Sequence, residues 1–249
     1  MTPAARSRRI TPMLHLLCAG AAQALVKAVE ARFAEQTGAC IEGRFGAVGA
    51  MKEALMGGVP CDVLVVTDTM LRALQANGAI DGDTALPLGR VRTGIAVRAG
   101  EPVPDVASAT ALKATLLAAT ALFVPDMQRS TAGGHVASML ERIGIGDAMA
   151  ARLAIFANGA TAMAALAERG APGSIGCTQL TEILCTQGLV LAGPLPDPYG
   201  LSTIYSAGVS KTAAQATLAS EFVALLCGDA TAASRREGGF DSIDDSKGD

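Results

Sequence analysis

The chain has 249 residues, enough for one large domain or two smaller ones sharing a hinge. Half the residues are hydrophobic, but only 3% are aromatic and there is no Trp, so the core must be built from Ala, Val, Leu and Ile; this suits parallel strands packed against helices better than a β-sandwich. A formal net charge of -3 carries no electrostatic footprint for nucleic acid or an anionic membrane.

The N-terminus superficially resembles a signal peptide. Arg6, Arg8 and Arg9 precede the apolar stretch Met13 to Ala22, and Ser7-Arg8-Arg9 hints at a twin-arginine signal. Pro12 and His15 interrupt that stretch, and the same residues read as the first strand and turn of a fold. Cleavage after Ala22 or Ala24 would remove a core strand. Cys18 is a poor lipoprotein site, because Leu16 and Leu17 stand where small residues belong. The expectation is an uncleaved, cytoplasmic rather than periplasmic chain. No segment reaches the roughly 20 apolar residues of a membrane span.

From there the pattern is strand, then helix, repeated. Leu14–Cys18 is a strand ending in Ala19-Gly20-Ala21-Ala22. A helix follows with Leu25, Val26, Val29 and Phe33 on one face, stopped by Thr37-Gly38. Cys40–Phe45 is a strand ending in Gly46-Ala47-Val48-Gly49, and a helix carries Met51, Leu55 and Met56. Val63–Val66 is a buried strand followed by Thr67-Asp68 and a third helix closed by Asn77-Gly78.

The run Thr93–Arg98 then suggests a crossing strand, and Pro102, Pro104 and Asp105 a loop. Ala109–Leu117 reads as helix and Ala121–Val124 as a strand ending at Pro125-Asp126. After Ser130-Thr131-Ala132-Gly133-Gly134 a helix is expected from about His135 through Leu140. Ile155–Ala157 is a strand ending in Asn158-Gly159, with a helix over Ala162–Leu166. Ser174–Cys177 is a strand, followed by a short helix around Leu180–Leu184. Leu189–Leu191 precedes a Pro-rich passage, Thr203–Ala207 is a return strand, and Ala213–Leu226 a long amphipathic helix. The tail beyond Phe240 is polar and acidic and is expected to be disordered. Such alternation with short loops argues for an α/β fold, parallel sheets covered on both sides.

The six cysteines form no C-x-x-C pair and match no zinc spacing. Most sit in apolar runs, which reads as buried free thiols in a reducing compartment. No metal and no cofactor are expected.

The order of the turns is familiar. Cys18-Ala19-Gly20-Ala21-Ala22, Phe45-Gly46-Ala47-Val48-Gly49, Gly58-Val59-Pro60-Cys61-Asp62-Val63-Leu64, Val124-Pro125-Asp126 and Gly173-Ser174-Ile175-Gly176-Cys177-Thr178 come in succession, and a terminal helix ends near Gly238-Gly239-Phe240. This resembles the molybdate-binding branch of the periplasmic solute-binding proteins, over roughly Met13 to Phe240. The resemblance implies a two-lobed periplasmic-binding-protein type 2 fold, each lobe a mostly parallel sheet flanked by helices, with crossing hinge strands. Residues 11–88 plus 199–240 would form one lobe and 89–198 the other, with 1–10 and 241–249 as flexible tails.

In that family the strand-to-helix loops offer backbone N–H groups and hydroxyls to an oxyanion. Helix N-termini carry unpaired donors and partial positive charge, and small residues let the backbone approach closely. By resemblance the ligand would face Gly20, Ala21, Ala22, Ala47, Val48, Gly49, the loop Gln128, Arg129, Ser130 and Thr131, then Asn158-Gly159 and Cys177-Thr178; Thr67, which follows the third strand, could line the cleft as well. The branch normally has a serine after the first strand and another in the second loop. Here Gly20 or Ala21, and Val48, stand in those places, and Arg129-Ser130-Thr131 adds a guanidinium able to grip a carboxylate with two hydrogen bonds. The departures point to an organic carboxylate with some apolar surface rather than molybdate.

Each candidate also has a plain structural reading. Arg129 fits a solvated loop; Ser130, Thr131, Asp68 and Asn158 fit helix caps or turns. His15 and His135 fit packed or surface histidines. The first functional reading is a solute-binding protein that closes on a small anion by hinge motion, working with an ABC permease if exported. The alternative is a cytosolic isomerase of aconitate type, since that branch includes aconitate-isomerase-like enzymes. Its proton-transfer group is open: His135, His15 and Asp126 are candidates among which the sequence does not choose. A ligand sensor ranks last, because no DNA-binding or signalling module is attached.

Overall fold

The computed structural model describes residues 11–243. The chain opens with β1 (Met13–Ala19), a single 3-10 turn (Gly20–Ala22) and α1 (Gln23–Thr37), followed by β2 (Cys40–Gly46), α2 (Val48–Met56), β3 (Val63–Thr67) and α3 (Asp68–Ala76). β1 lies between β2 and β3 and runs parallel to both. β3 is buried along its whole length, which is why it reads as an unbroken apolar run instead of an alternating one. Gly38 ends α1 with a left-handed φ of 71°, a backbone conformation that only glycine adopts freely.

β4 (Leu86–Arg98) then crosses the molecule. It is a single strand of 13 residues, longer than the crossing segment expected from Thr93 onward. Leu86–Arg92 pairs antiparallel with β9, while Thr93–Val97 pairs antiparallel with β7 and Gly94–Arg98 with β8. The second half of the fold comprises α4 (Ala109–Ala118), β5 (Leu122–Pro125), α5 (Thr131–Ile143), α6 (Gly146–Ala150), β6 (Leu153–Phe156), α7 (Gly159–Arg169), β7 (Ile175–Gln179), α8 (Leu180–Leu184) and β8 (Leu189–Pro194). The chain returns through β9 (Ser202–Val209) to α9 (Ala216–Cys227) and α10 (Ala232–Glu237). The strand order is β2-β1-β3-β9-β4-β7-β5-β6, with β8 also on β4.

The core divides on either side of β4. One part gathers β1, β3, β9, α1 and α9, with Phe33 and Phe222 packed edge to face at 5.1 Å between ring centres. The rest is built from β5, β7, α4, α5 and α7. α8 sits at the seam: Leu180 packs into the first core and Ile183 into the second.

Several expectations shift. α5 begins at Thr131, four residues before the expected His135, because the Ser130 hydroxyl caps it by accepting from Gly133 N–H at 3.4 Å. The short helix α6 escaped the pattern, being too short for periodicity to register, whereas α10 closes at its C-cap Gly238, where a terminal helix was expected to end. Asp241, expected as the first residue of a disordered tail, is held to β4. It exchanges backbone hydrogen bonds with Arg90 and pairs with Arg92 Nε at 3.2 Å. Of the expected tails, residues 1–10 and 244–249 lie outside the described residues.

The cysteines divide too. Cys18, Cys61 and Cys177 are buried as expected, and burial pushes the Cys177 thiol up to about 12; Cys40 and Cys185 are exposed. Among the described residues no single helix is long and apolar enough to cross a membrane.

Candidate functional site

The carboxyl ends of the parallel strands in both halves point toward each other, and each strand turns there into a helix. β1 leads into the Gly20 turn, β2 into α2, β5 into α5, β6 into α7 and β7 into α8. In open α/β sheets this is where ligands bind. The turns enclose a cavity of about 20 Å³ lined by Ala19, Gly20, Ala21, Gly46, Ala47, Val48, Ser130, Thr131, Asn158, Gly159, Gln179, Glu182 and Tyr205. Such a volume holds about one water, so a larger solute can enter only when the two halves part.

The lining is electropositive through its backbone. α2, α5 and α7 all begin at the cavity, each presenting the partial positive charge of its N-terminus. The α2 N-cap is Ala47, which offers no capping oxygen. α7 is capped by Asn158, whose Oδ1 accepts from Thr161 N–H at 2.9 Å, with Thr161 Oγ1 accepting from Asn158 N–H at 3.2 Å. That spends the Asn158 carbonyl oxygen and leaves its amide NH2 as donor.

Two side chains from the β7–α8 corner form the floor. Gln179 is 2% exposed, and neither its amide nitrogen nor its oxygen has a hydrogen-bond partner. It lies near enough to Tyr205 to ease ionisation of the phenol, without reaching hydrogen-bond geometry. Leaving a buried amide unpaired costs about 1–3 kcal/mol, a penalty that a polar guest would relieve.

Glu182 is 5% exposed, and its Oε2 accepts from the Thr178 hydroxyl at 2.5 Å. The backbone N–H groups of Ala160 and Gln179 also hydrogen-bond to it, yet burial dominates and lifts its carboxyl to about 7. Two glycines make room for this group, Gly159 most stringently. A Cβ on Gly159 would stand 1.8 Å from Glu182 Oε2 and 2.2 Å from Thr178 Oγ1, and one on Gly20 would stand 2.6 Å from Glu182 Oε1.

Of the residues singled out from sequence, Gly20, Ala21, Ala47, Val48, Ser130, Thr131 and Asn158 line this one cavity. The others lie beside it or elsewhere. Thr178 is fully buried behind Glu182. Ala22 is buried in the first core. Gly49 N–H donates to the Arg129 carbonyl at 3.1 Å. Thr67 caps α3 by accepting from Met70 N–H at 3.4 Å. The Arg129 guanidinium, expected to grip a ligand, instead pairs with Glu53 of α2. Asp126 accepts from the N–H groups of Gln128 and Arg129, which hold its carboxyl below the usual range. His135 Nε2 is 2.8 Å from the Tyr199 carbonyl, and His15 Nδ1 is 3.3 Å from Asp62. None of the three expected proton-transfer candidates lines the cavity.

Sequence reasoning missed Gln179, Glu182 and Tyr205. Gln179-Leu180-Thr181-Glu182 reads as an ordinary polar strand end and helix start. The available signal was an acidic residue in the first turn of a short helix that otherwise carries Leu180 and Ile183 into two cores. Among the described residues, no cluster of three or more His, Cys, Asp or Glu side chains could hold a metal ion.

A family model described as bacterial extracellular solute-binding protein matches residues 14–241. An aconitate isomerase from a Pseudomonas species is 30% identical over 165 residues, a match spanning 66% of this chain and 61% of that protein, so less than two thirds of the relative's length is represented. Among solved structures, the Azotobacter vinelandii periplasmic molybdate-binding protein has a TM-score of 0.77 at 18% identity, covering 92% of this chain and 98% of its own. The sulfate-binding protein SubI of Mycobacterium tuberculosis H37Rv has a TM-score of 0.72 at 17% identity, covering 94% and 88%. At these identities the two structures speak to the fold, the expected periplasmic-binding-protein type.

Proposed function

This chain belongs to the bacterial extracellular solute-binding protein family, and from that premise we propose that it closes on a small organic carboxylate in the cavity between its two halves. The observation that carries the reading is the buried, unpartnered Gln179 amide facing a cavity at which α2, α5 and α7 begin. Donors abound there: first-turn N–H groups, the hydroxyls of Ser130, Thr131 and Tyr205, and the amides of Asn158 and Gln179. Methyl groups of Ala19, Ala21, Ala47 and Val48 share the same wall. A carboxylate on a short carbon frame matches both surfaces, whereas a tetrahedral oxyanion leaves the apolar one unused. Closure removes water and strengthens each of these contacts.

A thermal-shift series with succinate, citrate, cis-aconitate, molybdate, tungstate and sulfate tests this, since a guest that binds only the folded state raises its melting temperature. The reading requires the carboxylates to stabilise most. Stabilisation by molybdate or tungstate alone counts against it.

A second reading is an isomerase of aconitate type. It is favoured by one carboxyl, Glu182, lining the cavity, and by the 30% identical relative. A buried acid titrating near neutrality suits proton transfer to and from carbon. Incubation with cis- or trans-aconitate, watching for the other isomer, tests this activity directly.

A further inference from the structure

Among the described residues, Glu182 contributes the only carboxyl group to the lining of the cavity, and no Lys or Arg shares that lining. Its Oε2 is taken by the Thr178 hydroxyl, and its Oε1 lies over Gly20. The carboxyl also receives the Ala160 N–H from the first turn of α7. Glu182 therefore shares the N-terminus of that helix with any guest that enters the cavity. An anionic guest entering so small an enclosure meets a like charge with no cation to offset it, and two carboxylates in one site do not both stay ionised.

We propose that anion binding is coupled to uptake of one proton by Glu182, which then donates a hydrogen bond to the guest from its neutral form. The step is balanced: solvent supplies the proton, one carboxylate oxygen of Glu182 gains it, and no other bond changes. The inference rests on the anion-binding reading above and adds the residue that sets its pH dependence. It also assigns a selectivity, because a neutral carboxyl accepts an anion while an ionised one favours a neutral donor.

The surroundings leave Glu182 as the group that responds. From β9 comes Tyr205, whose phenol is held protonated by burial. From its own helix end comes Cys185, whose thiol is pushed up by the partial burial of its sulfur and by Glu182 itself. β7 brings Thr178 and Gln179, which do not titrate, and the Gly20 turn and β8 carry no ionisable side chain. α7 carries Glu168 and Arg169 only at its far end. On β4, Arg90, Arg92 and Arg98 are engaged by Ser202, Asp241 and Glu101. The neutral form is reached readily, since burial outweighs the hydrogen bonds to this carboxyl and lifts it to about 7.

Calorimetric titration of the full chain with citrate and with succinate, in buffers of different ionisation enthalpy, reads the proton directly. At about pH 8 the expected uptake is close to one proton per guest, and Kd rises about tenfold per pH unit above neutrality. Glu182→Gln, which keeps a donor but cannot titrate, is expected to bind with no proton uptake and a flat pH profile. Binding by the unaltered chain without proton uptake overturns the inference and leaves the anion site standing. Binding of neither carboxylate, nor of sulfate or molybdate, at any pH overturns both. Should Glu182→Gln fail to fold, the buffer series on the unaltered chain decides alone.

Discussion

Arg129 and Glu53 tie the two halves of the fold together outside the cavity: the guanidinium pairs with the Glu53 carboxylate on α2, while the Arg129 carbonyl accepts from Gly49 N–H at 3.1 Å. Arg129 is not among the residues that line the cavity, and its two contacts span the halves as a latch would. Both side chains are about half exposed, so the ion pair itself contributes only about 0–1 kcal/mol and is screened by salt.

The latch predicts a kinetic phenotype. Glu53→Lys should speed ligand release several-fold, with folding stability changed by less than about 1 kcal/mol. Combining it with Arg129→Glu should restore part of the slow release. Stopped-flow dissociation at low and high salt checks this; unchanged release in the single variant contradicts the latch.

Gly159 predicts a steric phenotype. Its missing Cβ makes room for Glu182 and Thr178, so Gly159→Ala should displace the carboxyl, cost about 1–3 kcal/mol and abolish stabilisation by anions. Gly134→Ala is the control. Its added Cβ would meet only the Met127 carbonyl at 3.5 Å, and α5 should gain stability by up to about 1 kcal/mol. Denaturant melts with and without citrate compare the two.

The Glu182 carboxyl predicts a stability profile of definite sign. Its folded value, about 7, lies above the ordinary 4.5, so the native state binds more protons between those values. Its stabilisation is complete below the ordinary value and is lost as pH rises through about 7. The shift corresponds to about 3 kcal/mol lost from acid to alkaline pH. Glu182→Gln should flatten that slope in urea titrations at several pH values. A slope unchanged in the variant would assign it to another group.

Asp62 predicts a purely structural phenotype. It is 1% exposed, with Oδ2 accepting from His15 N–H at 2.8 Å and Oδ1 from Gln215 N–H at 2.9 Å. The carboxylate fastens β1 to the segment entering α9. Asp62→Ala leaves two donors unpaired and should cost about 2–5 kcal/mol, measured by urea unfolding, while anion affinity of the folded protein stays unchanged.

Much of the architecture was legible because its signals are local. Apolar runs such as Val63–Val66 announce buried parallel strands, and turns such as Thr37-Gly38 announce helix ends. Small-residue loops after the strands led to Gly20, Ala47, Val48, Thr131 and Asn158, all of which line the cavity. The floor was not legible. Glu182 matters because it is buried beside Gly20 and Gly159, residues 162 and 23 positions away in the chain by the numbering, and no local pattern reports that approach. The Arg129–Glu53 pair was not legible for the matching reason: Glu53 comes from the other half of the fold, and a guanidinium's partner cannot be read from its neighbours in sequence.

The central claim is that one anion is held where α2, α5 and α7 begin. Amide chemical shifts of the nitrogen-15-labelled chain, titrated with citrate, test it most directly. The account predicts saturable shifts at the Val48, Thr131 and Ala160 amides and at the Gln179 side-chain amide, all with one midpoint. Saturable shifts confined to another surface, with those four groups unmoved, would contradict it.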